Sequence, residues 1–113
     1  MIIFLSCVKT KRNSRSMAQD MYISDLFKKS LIYAQSLKPS NIYILSAKYG
    51  LLELNDYIEP YNTTLNNANN FECKKWAVMV YKQMLNKGID FNEEALFLCG
   101  KNYRKYIITK FKK

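Results

Sequence analysis

The chain has no histidine, only three glycines and two prolines, and an odd number of cysteines. Without histidine, the side chain most often used as a general base is missing, and so is the commonest metal ligand. Glycines this few leave no glycine-rich Walker loop and no dinucleotide fingerprint. Cys7, Cys73 and Cys99 lack zinc-site spacing and cannot all pair, so they read as reduced thiols. No apolar run approaches the length of a membrane span. Met1 leads straight into apolar residues, without the positive, apolar and small-residue order of a signal peptide. The expectation is a soluble, cytoplasmic protein with no membrane partner, no metal, and no cofactor called for by any motif.

Acidic residues are also scarce, nine against eighteen lysines and arginines, for a net charge of +9. The imbalance is concentrated at two places. Lys9, Lys11, Arg12 and Arg15 precede the first acid, and Lys101, Arg104, Lys105, Lys110, Lys112 and Lys113 crowd the other end. Such a field attracts polyanions, from nucleic acid to phosphorylated small molecules. A solvated, lysine-rich surface accounts for the same composition.

With 113 residues and 49% hydrophobic content, the chain is expected to form one α/β domain with a single core. It is organised around Asn41 to Leu52, N-I-Y-I-L-S-A-K-Y-G-L-L. Ile42 to Leu45 read as a strand buried on both faces. Ser46, Ala47, Lys48, Tyr49 and Gly50 follow as a binding loop at its carboxyl end. The same pattern appears at Ile2 to Leu5, leading to Ser6, Cys7 and Lys9, and at Ala95 to Leu98, leading to Cys99, Gly100 and Lys101. If the three strands are parallel, their carboxyl ends share the edge where open α/β sheets bind ligands. Lys9, Lys48 and Lys101 would then converge on one anion, or their spacing simply reflects a lysine-rich chain.

Taken in order, Thr10 to Met17 is a polar loop and a candidate flexible phosphate clamp. Ala18 to Tyr22 starts a helical turn. Ser24 caps a helix whose inner side carries Phe27, Leu31 and Ala34, flanked by Leu26 and Leu37. Glu53 to Thr64 is a long connection, of the kind that often carries function. Asn70 is a candidate cap for a helix to Lys87 with Cys73, Ala77, Val80 and Met84 inward and Trp76 as a core anchor. Tyr103, Tyr106, Ile107 and Lys110 predict a last amphipathic helix. The predicted fold is a small three-layer α/β sandwich around a mainly parallel sheet of three or more strands, with helices on both faces.

Any acid or base must come from Asp, Glu, Tyr, Cys or Lys. Cys7 follows a strand among cations that lower thiol pKa values, though a small buried cysteine fits equally. Asp56 is an acid or base candidate that orients water or binds a base edge; Glu59 competes with it, and a turn-capping carboxylate is the structural alternative. Tyr49 and Tyr61 offer rings for stacking on a nucleobase, or pack into the core.

S-C-V-K-T-K at Ser6 to Lys11, D-M-Y-I-S-D-L-F at Asp20 to Phe27, I-L-S-A-K-Y-G-L-L at Ile44 to Leu52 and I-E-P-Y at Ile58 to Tyr61 together resemble a bacterial and phage domain family of unknown function. More distantly, the chain is similar to peroxide-stress YaaA-like proteins and to a glycosylase-like domain associated with modified-guanine transglycosylases. The resemblance carries over Ser6, Cys7, Lys11, Tyr22, Ser24, Ser46, Lys48, Tyr49, Gly50, Pro60 and Tyr61 as site positions, and implies handling of a nucleobase, nucleoside or DNA. The chain is much shorter than the YaaA-like pattern, with no room for an added DNA-binding module.

The leading expectation is a domain that recognises a nucleotide or nucleobase-containing small molecule, with action on an N-glycosidic bond or base modification in view. Lys9, Lys48 and Lys101 would hold phosphate, Tyr49 or Tyr61 would stack the base, and Asp56 would orient water or a ribose hydroxyl. Single-stranded nucleic acid is a further expected partner. The alternative is a non-catalytic basic adaptor, or phage-type inhibitor, binding nucleic acid or a protein.

Overall fold

Ile2–Ser6 (β1) lies in the middle of a four-stranded sheet because its apolar run has neighbours to cover it on every side. Ile3 and Phe4 are fully buried, and burying each such side chain is worth roughly 1.5–3 kcal/mol. The computed structural model describes residues 1–112, so Lys113 of the basic carboxy-terminal run lies outside them. β1 pairs in parallel with Asn41–Ser46 (β3) on one side and Ala95–Leu98 (β6) on the other. Gly50–Glu53 (β4) turns back antiparallel beside β3 and completes the order β4-β3-β1-β6. The expected α/β sandwich with a mostly parallel sheet is therefore present.

Asp25–Ser36 (α2) connects β1 to β3, and Asn70–Asn86 (α3) connects β4 to β6. The two crossovers run in opposite directions across the sheet, so right-handed connections place the helices on opposite faces. Ser24 caps α2, its hydroxyl accepting from the Phe27 amide at 3.2 Å. Asn69, one residue before the expected cap, opens α3 with a reciprocal box in which Asn69 Oδ1 accepts from the Glu72 amide and Glu72 Oε1 from the Asn69 amide. On the sheet face reached by α3, Phe4 stacks between Tyr43 and Phe97 with centroids 5.7 and 4.8 Å away. Phe111 and Phe91 extend that aromatic layer to Tyr81 of α3.

Four expectations are corrected. Leu26 and Leu37 are exposed, leaving Phe27 and Ala34 as the buried side of α2. The long connection expected at Glu53 to Thr64 opens on the last residue of β4 and contains a two-residue strand, Tyr57–Ile58 (β5). The Thr10 to Met17 loop is pinned: Ser16–Met17 (β2) pairs with β5, and Lys11 forms a bridge with Tyr22 just beyond Ala18–Met21 (α1). The last helix stops after Lys101–Arg104 (α4), and only a 3₁₀ turn at Ile108–Lys110 follows. Ile107, Ile108 and Thr109 are β-branched, a run that disfavours helix continuation.

Candidate functional site

The parallel strands bring the segments after β1, β3 and β6 to one edge. Between β1 and β6, where the chain reverses its direction of travel through the sheet, two hydrogen bonds tie the strand ends together beside a small cavity of about 300 Å³. Cys99 Sγ donates to the Phe4 carbonyl at 3.0 Å, and the Gly100 amide reaches Ser6 Oγ at 3.4 Å. Burial raises the Cys99 thiol pKa well above its ordinary value, so it sits there as a neutral donor.

Beside this seam lies a chain of buried hydroxyls. Ser46, fully buried at the end of β3, accepts from the amides of Lys48 and Tyr49 at 3.3 and 3.0 Å. Its own proton is thereby directed to Tyr61 Oη, 2.8 Å away, and Tyr61 shares a 2.6 Å hydrogen bond with Tyr22. Burial pushes both phenols upward, and the neighbouring Cys7 adds to the shift in each. Cys7 Sγ donates to Tyr103 Oη at 3.2 Å, and the same oxygen accepts from the Leu65 amide. Burial, assisted by Cys7, pushes the Tyr103 phenol up to about 12. Trp76 packs edge-on against Tyr103 and donates Nε1 to the Ser46 carbonyl at 2.9 Å. Among the described residues no buried side-chain nitrogen or oxygen lacks a partner. These hydroxyls need no ligand to be satisfied.

Above them opens a cavity of about 500 Å³, within the range of small-molecule sites. Cys7, Val8, Lys9 and Lys11 form one side, and Asn62, Thr63, Thr64, Asn66 and Asn67 the other, with Tyr103 at the base. Among the described residues no acidic side chain lines it. Lys11 Nζ lies 4.5 Å from the Tyr61 ring centroid, a cation-π distance. Burial lowers the Lys11 pKa, and Cys7 acts in the opposite sense. The Asn and Thr segment is clamped at Leu65, whose carbonyl accepts from Asn102 Nδ2 at 2.6 Å.

A family profile covering residues 2–113 matches this sequence. The chain belongs to DUF6884, a family of unknown function. No curated protein and no solved structure matches it.

In this DUF6884 chain, Cys7, Lys11, Tyr22, Ser46 and Tyr61 come together from four separate motifs. Lys9 joins Lys11 in the cavity wall. The three expected lysines do not share one cavity: Lys48 lines a groove along α3, and Lys101, exposed at the start of α4, lines neither. Tyr49 lies edge-on to Tyr61, and its hydroxyl bonds the backbone of Glu59, steering the Pro60 and Tyr61 segment. Tyr61 itself is 8% exposed, leaving little ring surface for stacking. Gly50 has φ +78°, and a Cβ there would overlap Gln83 Oε1, which accepts from the Leu51 amide. Ser6 and Ser24 serve the seam and the α2 cap.

Asp56 is carried away from the edge because β4 runs antiparallel to β3. Its Oδ2 accepts from the Glu53 amide at 2.8 Å, the turn-capping arrangement. The residues that sequence reasoning missed are Tyr103 and the Asn62 to Asn67 wall. The dense N-T-T-L-N-N tract after Pro60 and Tyr61 was the available signal for that wall.

Proposed function

We propose that the cavity above Cys7 binds a phosphorylated, nucleobase-containing small molecule. The observation that carries this reading is the pairing of two lysines with an amide-rich wall, in a cavity free of carboxylates at the carboxyl edge of a parallel sheet. Lys9 and Lys11 supply the positive charge for phosphate. Asn62, Asn66 and Asn67 each present both a donor and an acceptor, the combination that reads a base edge, and Thr63 and Thr64 bond to either. The hydroxyl chain beneath holds the wall and Lys11 in place. Cys7 touches the ligand without a covalent step assigned to it. The distant likeness to glycosylase-like domains points to the same ligand class.

Thermal-shift titration against mononucleotides, their nucleosides, inorganic phosphate and short single-stranded DNA tests the reading. A ligand confined to the folded state at a hundred times its Kd adds about 2.7 kcal/mol of stability. A mononucleotide is expected to raise the Tm more than its nucleoside. Lys11→Met is expected to weaken binding roughly tenfold or more, the scale of a lost charged hydrogen bond. Lys48→Ala should leave it unchanged. No shift with any nucleotide, or one that survives Lys9→Met with Lys11→Met, overturns the proposal.

A further inference from the structure

α3 buries Cys73, Trp76, Ala77, Val80 and Met84 against the sheet, which leaves its opposite side for solvent. That side is not polar throughout. Phe71, Lys75, Val78 and Lys82 recur at spacings of four, three and four, so they form one stripe, with Met79 beside it. Phe71 is 74% exposed and Val78 55% exposed. A helix with one face in the core ordinarily turns charge to the water, and here Phe71, Val78 and Met79 are exposed together between the lysines. The stripe borders an open groove of about 790 Å³ whose far bank carries Lys48.

The charges identify the occupant. Lys48, Lys75 and Lys82 line this groove, and its single acid, Glu72, is engaged in the α3 capping box. The run from Phe71 to Lys82 is about 16 Å long, three helical turns. We propose that this groove docks an acidic amphipathic helix of a partner protein. Apolar anchors of that helix at i, i+3 or i+4, and i+7 seat between Phe71, Val78 and Met79, and its carboxylates meet the three lysines. A second copy docked face to face sets the same lysines against each other. Single-stranded nucleic acid is served by successive exposed rings, whereas of the two rings lining this groove Phe71 is exposed and Trp76 is buried in the core.

The test is selection of displayed random peptides of about 15 residues, four helical turns, on the intact protein. Selection is counter-screened against Val78→Asp, an exposed substitution whose folding is checked by circular dichroism. The expected winners are net acidic with apolar residues at helical spacing. They should bind Lys75→Glu with Lys82→Glu at least about tenfold more weakly, the scale of a lost charged contact, and weaken as salt rises. The charge-reversed variant keeps the apolar stripe, so it tests the proposal even if Val78→Asp misfolds. Winners that are neutral or basic, an absence of enrichment over Val78→Asp, displacement of winners by oligo-dT, or self-association abolished by Val78→Asp each overturn it.

Discussion

Replacing Ser46 by alanine removes one oxygen and three hydrogen bonds from the floor of the site. Ser46 Oγ donates to Tyr61 and accepts from the Lys48 and Tyr49 amides, in a position closed to water. Losing the bond to Tyr61 costs about 1 kcal/mol, and leaving the Tyr49 amide without its acceptor a further 1–3 kcal/mol. The expected destabilisation is therefore about 2–4 kcal/mol, a fall in Tm of about 8–16 °C for a chain of this length. Urea unfolding followed by Trp76 fluorescence measures it directly, since Trp76 is the single tryptophan and bonds to the Ser46 carbonyl. The cycle with Tyr61→Phe should show coupling of about 1 kcal/mol, because the two side chains share a bond. If Ser46→Ala costs less than about 0.5 kcal/mol, the level of an indifferent surface change, the hydroxyl chain does not hold this site together.

Gly50→Ala is expected to cost more than Gly88→Ala. Both glycines have positive φ, but only at Gly50 does an added Cβ meet Gln83 and unseat its bond to Leu51. Strain alone is worth about 1 kcal/mol, so equal losses in urea midpoint at the two positions would remove the packing argument. The raised phenols give a pH dependence. Tyr22, Tyr61 and Tyr103 hold protons in the folded state that the unfolded chain releases near the ordinary value of 10.0. Stability is thus fully present below about pH 10 and falls as pH rises beyond it, with phenolate absorbance appearing together with unfolding. Ionisation of every tyrosine near the ordinary value in a chain that stays folded contradicts this.

Local pattern was enough for the parts of the fold whose signals are local. Three apolar runs became the three parallel strands, and Ser24 capped the helix it precedes. The 4, 3, 4 recurrence from Cys73 to Met84 marked the buried side of α3. What escaped depended on tertiary pairing. Leu51 and Leu52 read as core cover, but nothing in two leucines announces that they form an antiparallel strand, and that reversal moved Asp56 out of the site. Lys48 follows β3 by two residues and Lys9 follows β1 by three, yet Lys48 opens onto the α3 side. Tyr103 was legible only as one position of an amphipathic helix. Its hydroxyl, shared by Cys7 and Leu65, was not, because neither partner is near it in sequence.

The contact between Cys7 and Tyr103 spans 96 positions, and β1 sits between β3 and the much later β6. On the ribosome, β1 emerges before the other strands of its sheet and can pair early with β3. Its other edge, and the floor of the cavity, wait for β6 and α4. Such long-range closure slows folding and leaves apolar edges uncovered in the meantime. A nascent chain that stalls before residue 95 therefore carries the lysines and the Asn62 to Asn67 wall without Tyr103 at their base. The two sides of the cavity therefore meet only once β6 and α4 have formed.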